Sequence, residues 1–167
     1  MKKFKVTGKS IPESWSTAAT VMSVIALDRL VGKDVREELD LRVRFKHHHA
    51  EGEAVVRDKD SLEKFDVIVD PYRVVKDAWG RDFHDDERVS KLMQVLAHEL
   101  THVKQYIVGD LKIEESGYAI WKGEKFSPED LQSYFDLPFE KEARGEEEGH
   151  MFAFLTRYTE LIKEGVI

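Results

Sequence analysis

The chain contains no cysteine, which excludes disulfide frameworks, thiolate nucleophiles and cysteine-based zinc clusters together. Any metal here must be held by histidine and carboxylate. Positive charge is also in short supply: 26 basic residues stand against 33 acidic ones, a formal charge of -7. Nucleic-acid binding needs a basic footprint to neutralise phosphates, so nucleic acid is not an expected partner. No apolar run approaches the ~20 residues of a membrane span. The segment Ala18 to Leu27 is apolar and lies behind a lysine-rich start, so a secretory signal has to be weighed. The lead contains Glu13, no small-residue cleavage site follows, and Asp28 and Arg29 close the run as an ordinary helix end does. The expectation is a soluble, cytoplasmic protein with no membrane partner.

What is present is enough apolar material for one core. With 167 residues and 41% hydrophobic content, the chain is long enough to bury a core without staples and short for two domains, so residues 1–167 read as one domain. Pro12-Glu13-Ser14 opens a helical stretch to about Leu30, with Gly32 where a C-terminal cap belongs. The period then changes. Leu39, Leu41, Val43 and Phe45 alternate with Asp40, Arg42, Arg44 and Lys46, the pattern of a strand with one buried face. Further strands are expected over Glu53 to Arg57 and Lys64 to Asp70, the latter stopped by Pro71. From about Asp86 to Val108, Val89, Leu92, Met93, Leu96, Leu100, Val103 and Ile107 recur at helical spacing until Gly109. The region Leu111 to Asp136 reads as irregular, with a hairpin or turn at Trp121-Lys122-Gly123-Glu124 and a short helix after Ser127-Pro128-Glu129-Asp130. A last helix is expected from Pro138, capped by Asp136, to about Glu164.

The strong helix carries His98-Glu99-Leu100-Thr101-His102. Two histidines four residues apart project from one face of a helix and can reach one zinc ion, while the glutamate between them can take a proton from water held there. In this composition an H-E-x-x-H string arises by chance at roughly 3%, so context matters. Both histidines fall nearly opposite the apolar stripe of their own helix. A zinc site that keeps a position for water needs a third protein ligand. A further histidine shortly after His102 is absent, since the chain continues Val103-Lys104-Gln105-Tyr106. The start of the last helix supplies Glu140 and Glu142. Ala143, Met151, Phe154, Leu155, Tyr158 and Leu161 mark the apolar face of that helix; Glu140 falls in the middle of it and Glu142 on the polar side. A carboxylate on a core-facing stripe needs a partner, which favours Glu140 over Glu142 as third ligand. Glu147 shares that face two turns on and reads as an ion-pair member or as a support for a ligand. Glu146 and Glu148 read as solvated.

HELTH, followed by a helix with Glu140 and Ala143 in a Glu-x-x-Ala arrangement, resembles the gluzincin clan of zinc metallopeptidases; HELTHVKQY, Trp121-Lys122-Gly123 and LPFEKEA are similar to short, phage-like members. The likeness spans roughly Lys91 to Arg144. It implies an α+β zincin-like domain: a small mixed or antiparallel sheet on an active-site helix, with a C-terminal helix supplying the third ligand. It also implies one Zn2+ per chain on His98, His102 and Glu140, Glu99 as general base, and a peptide or protein substrate lying along an edge strand. Arg144 stands where several gluzincin families carry Asp or Asn after the alanine. Tyr106, Tyr118 and Tyr134 are candidates for the group that stabilises the oxyanion. A zinc-binding but latent or non-hydrolytic module of the same fold, serving regulation or interaction, is the competing expectation.

The remaining polar residues invite blander readings. His47-His48-His49 are expected to form a solvated loop, because consecutive side chains point to alternating sides and cannot all reach one ion. His84 and His150 read as surface histidines, and Trp79 and Trp121 as packing residues.

Overall fold

The alternating segment after Leu39 lies in a four-stranded sheet, and its pattern dictates how the molecule is layered. The computed structural model describes residues 1–58, 60–76, 80–127 and 136–167. The sheet consists of β1 (Lys3–Gly8), β2 (Asp40–Phe45), β3 (Gly52–Val56) and β4 (Lys64–Val69), in the order β1-β2-β4-β3. β1 and β4 run parallel to β2, and β3 runs antiparallel to β4 at one edge. Leu41, Val43 and Phe45 lie opposite Phe65, Val67 and Val69 in register, and all six are buried on one face. The other face carries Ile68 beside a network of charged residues. There Asp66 accepts from Arg44, and Arg57 pairs with Asp40 and Asp66.

The apolar face is covered by α1 (Glu13–Leu30) and α3 (Asp85–Ile107). α1 buries Ala18, Ala19, Met22, Ser23, Ala26 and Leu27, and these mostly small side chains let α3 and α4 (Pro138–Lys163) come close. Leu92, Met93, Leu96, Leu100 and Val103 of α3 fill the main core. α4 packs along the remaining side of α3. A single α+β domain results, and none of its described helices is long and apolar enough to cross a membrane.

The sequence leaves two elements of this part unmarked. β1 has only Phe4 and Val6 as apolar residues, too few to register as alternation, and gains its place by pairing with β2. The six-residue α2 (Lys33–Glu38) is held by Gly32, which adopts φ 85 as its N-cap, and by Arg36, whose Nε donates to Asp28 Oδ1. Beyond α3, part of the segment expected to be irregular is a meander of β5 (Leu111–Ile113), β6 (Ala119–Trp121) and β7 (Glu124–Phe126). Its hairpin turns at Lys122 and Gly123, both with positive φ, as a tight primed turn requires. Leu111, Ala119 and Trp121 pack on Leu137 and Phe139, which anchors the start of α4. Asp136 does not cap that helix: Leu137 occupies the N-cap position, and Asp136 pairs with Lys141 instead. The helix expected after Ser127 and the residues Trp79 and Tyr134 lie outside the described residues.

Candidate metal centre

α3 is buried on two sides, not one. Its apolar stripe faces the sheet and α1, while the opposite side, where His98 and His102 project, is covered by α4. His102 is therefore only 7% exposed although it stands off the apolar stripe. α4 brings Glu140, fully buried at 1% exposure, against both histidines, and Glu142 is turned away from them.

The three side chains converge closely. His98 Nε2 lies 3.1 Å from Glu140 Oε2, His102 Nε2 lies 3.2 Å from Glu140 Oε1, and the two Nε2 atoms are 3.2 Å apart. Donors held about 2.0–2.1 Å from a tetrahedral zinc ion stand roughly 3.3 Å apart; the observed spacings are of that order, with Glu140 presenting a different oxygen to each histidine.

The chemistry of the outer atoms decides what the inner atoms present. His98 Nδ1 donates to Glu147 Oε1 at 2.8 Å, and Gln94 Nε2 donates to the other oxygen of Glu147 at 2.6 Å. His102 Nδ1 meets Gln105 Oε1 at 2.8 Å. The orientation of the Gln105 amide is set by its nitrogen, which donates to the Phe139 carbonyl and to Glu142 Oε2. Each histidine thus carries its hydrogen on Nδ1 and turns the lone pair of Nε2 inward, where the Glu140 carboxylate is also an acceptor. Three acceptors facing one another call for a cation.

The pKa directions agree. Burial lowers the affinity of His98 for a proton, but its hydrogen bonds to Glu140 and Glu147 outweigh this and raise the pKa to about 9. His102 is raised as well: burial works against the proton, and the bond to Glu140 with the charge of Glu99 prevails. In the absence of another cation, the chain recruits protons to this point. Glu147 is lowered, since its bonds from His98 and Gln94 outweigh its own burial.

Glu99 sits beside the triad, and burial pushes its carboxyl up to about 7 against the opposing charges of His102 and His98. It packs on the backbone of the edge strand: a β-carbon placed on Gly52 of β3 would stand 2.7 Å from Glu99 Cγ and Oε1. Arg144 reaches Glu140 Oε2 at 3.5 Å, so the cationic residue after Ala143 touches a candidate ligand.

Comparison with protein-family models, curated proteins and solved structures gives no match. The site therefore rests on its own geometry.

Several other expectations can be placed. Glu142 is tied to Lys104 and Gln105 and supports His102 only through Gln105. Tyr106 is largely buried against Phe65 with its hydroxyl pushed up to about 12, chiefly by burial. Tyr118 lies under Lys125 beside the meander strands. Trp121 is a packing residue, buried on Phe139, and His84 is an exposed residue whose N–H donates to Glu87 at the start of α3. His150 is a correction: it is 1% exposed, because the approach of α1 to α4 covers it. Leu155 is the reverse, half exposed although it lies on the apolar stripe of α4. The supporting role of Gln105 goes unread in the sequence. The spacing places Gln105 on the helix face of His102, three residues on, but does not distinguish a supporting role from an ordinary polar position.

Proposed function

We propose that this chain is a zinc-dependent peptidase of the gluzincin type, with a zincin-like arrangement of sheet, active-site helix and C-terminal helix. His98, His102 and Glu140 would hold the ion and Glu99 would be the general base. One observation carries the reading: two Nε2 atoms and a buried carboxylate meet at 3.1–3.2 Å beside Glu99, a buried glutamate of α3 that packs against the edge strand β3. Zinc held there acts as a Lewis acid that polarises a carbonyl group and acidifies water.

The chain's own residues supply the rest. Glu147 and Gln105 hold the Nδ1 hydrogens of the two histidines, so that any proton given up to an incoming ion leaves Nε2 and not Nδ1. Positive charge at the triad favours the ionised form of Glu99, as the histidines already do. Glu99 can then take a proton from the water that attacks the peptide carbonyl carbon and return it to the leaving amine nitrogen. Among the described residues β3 pairs with β4 on one side and has no strand on the other, an edge to which an incoming extended peptide would add by main-chain hydrogen bonds. The absence of a side chain at Gly52 lets Glu99 lie directly against that strand.

The test is Glu99→Gln. The substituted protein should retain its zinc and lose hydrolysis of a peptide library by about 10²–10⁴-fold, the range attributed to general-base catalysis. Cleavage at the parental rate would remove Glu99 from the mechanism; no cleavage by the parent protein would favour the non-hydrolytic module.

A further inference from the structure

The loop from β2 to β3 assembles a second group of metal-binding side chains, separate from the triad on α3 and α4. His48, His49 and Glu53 each place one ligand atom within 4.8 Å of the others. Consecutive residues would diverge in a strand, but residues 46–51 leave the strand geometry, and the rings of His48 and His49 come within 3.9 Å of each other, centroid to centroid. His47 takes no part. It turns the other way, stacked on Tyr72 and beside Asp70.

Two features distinguish this group from an ordinary ion pair. His48 Nε2 lies 2.8 Å from Glu53 Oε2 and is buried, yet it makes no aligned hydrogen bond among the described residues. The two atoms are thus close without a bond between them, and His48 Nε2 is left to an ion or to an acceptor outside the described residues. The loop is also fixed before any ligand arrives. The fully buried Asp70 accepts from the His48 N–H at 2.7 Å and from the Tyr72 N–H at 2.8 Å, and Arg73 Nε donates to the His48 carbonyl at 2.9 Å. Backbone on either side of the first imidazole is therefore pinned, and the exposed His49 ring has only to swing inward.

We propose that His48, His49 and Glu53 bind a second divalent ion of the zinc class. Two imidazoles and one carboxylate suit zinc and its neighbours and not calcium or magnesium, which take oxygen donors. The ion fastens the loop to β3 at Glu53, the residue after Gly52. Because His49 is exposed, the ion exchanges with solution more readily than one held by the buried triad. This inference does not depend on the peptidase reading.

The experiment is a zinc titration of the metal-free full chain, with metal per chain read by elemental analysis after desalting and melting temperature followed in parallel. Parent protein, His98→Ala, and His49→Ala combined with Glu53→Gln are compared, each checked for parental circular dichroism. The proposal expects two equivalents in the parent and one in each variant, with zinc still raising the melting temperature of His98→Ala. A single equivalent that is lost in His98→Ala and kept in the loop variant would overturn it and leave the triad standing. A single equivalent kept in His98→Ala and lost in the loop variant would support it and overturn the triad.

Discussion

At the scale of single residues, the two histidines of α3 are poised as candidate ligands by neighbours that stand behind them. Glu147 and Gln105 each hold an Nδ1 hydrogen and so commit the opposite nitrogen to the centre. Glu147→Gln and Gln105→Ala should each weaken zinc binding about 10–100-fold while the fold persists, measured by competition with a chromogenic chelator. Unchanged affinity would show that packing alone orients the rings. The raised pKa of His98, about 9, makes a second prediction. At pH 7 the metal-free centre holds protons that zinc must displace, so calorimetric zinc binding should depend on the ionisation enthalpy of the buffer, with proton release shrinking as pH approaches 9. Binding without proton release would mean that the metal-free His98 is already neutral at pH 7, against its raised pKa. Glu140 was legible in the sequence because a carboxylate in the middle of an apolar stripe stands out. Gln105 was not, since a glutamine on a helix carries no such contrast until its neighbours in space are known. His150 misleads for a related reason: its burial depends on how α1 crosses α4, which no local pattern records.

At the scale of elements, the site is the meeting of α3, α4 and the edge strand β3. α3 was readable from its periodicity, and β2 to β4 from alternation and the stop at Pro71. β1 is too weakly patterned to be seen before pairing, and of the short meander strands only the β6–β7 turn at Lys122-Gly123 was marked in the sequence. The convergence of His48 and His49 was hidden for a different reason, because the alternation rule applies to strands and these residues sit in a loop held by Asp70. Gly52 gives the element scale its sharpest test. Its backbone needs no special conformation, but a β-carbon there would lie 2.7 Å from Glu99 and 2.8 Å from Val95 Cγ1. Gly52→Ala should cost about 1–3 kcal/mol of stability by overpacking and reduce hydrolysis, with zinc content at the triad retained. Parental stability and activity, by denaturant melts and cleavage assays, would mean that Glu99 has room to move and is not held against the strand.

At the scale of the whole molecule, the triad joins α3 to α4 across 42 residues of sequence, and α4 otherwise packs mainly on α3 and α1. An ion that binds only the folded chain stabilises it by about 4 kcal/mol at a thousandfold excess over its dissociation constant, so zinc should raise the melting temperature and chelation lower it. The metal-free protein should show a pH dependence of its own. The folded pKa of His98 is raised above its ordinary value of 6.5, so its contribution to stability is complete below about 6.5 and is lost as pH rises through about 9. The zinc-loaded protein should lack that loss, because its imidazoles carry no exchangeable proton at Nε2.

The most direct test of the central claim is the zinc content of Glu140→Ala and Glu142→Ala, prepared and dialysed beside the parent. The account predicts that Glu140→Ala loses one equivalent of zinc relative to the parent while Glu142→Ala keeps it. Equal zinc in Glu140→Ala and the parent, or loss confined to Glu142→Ala, would contradict it.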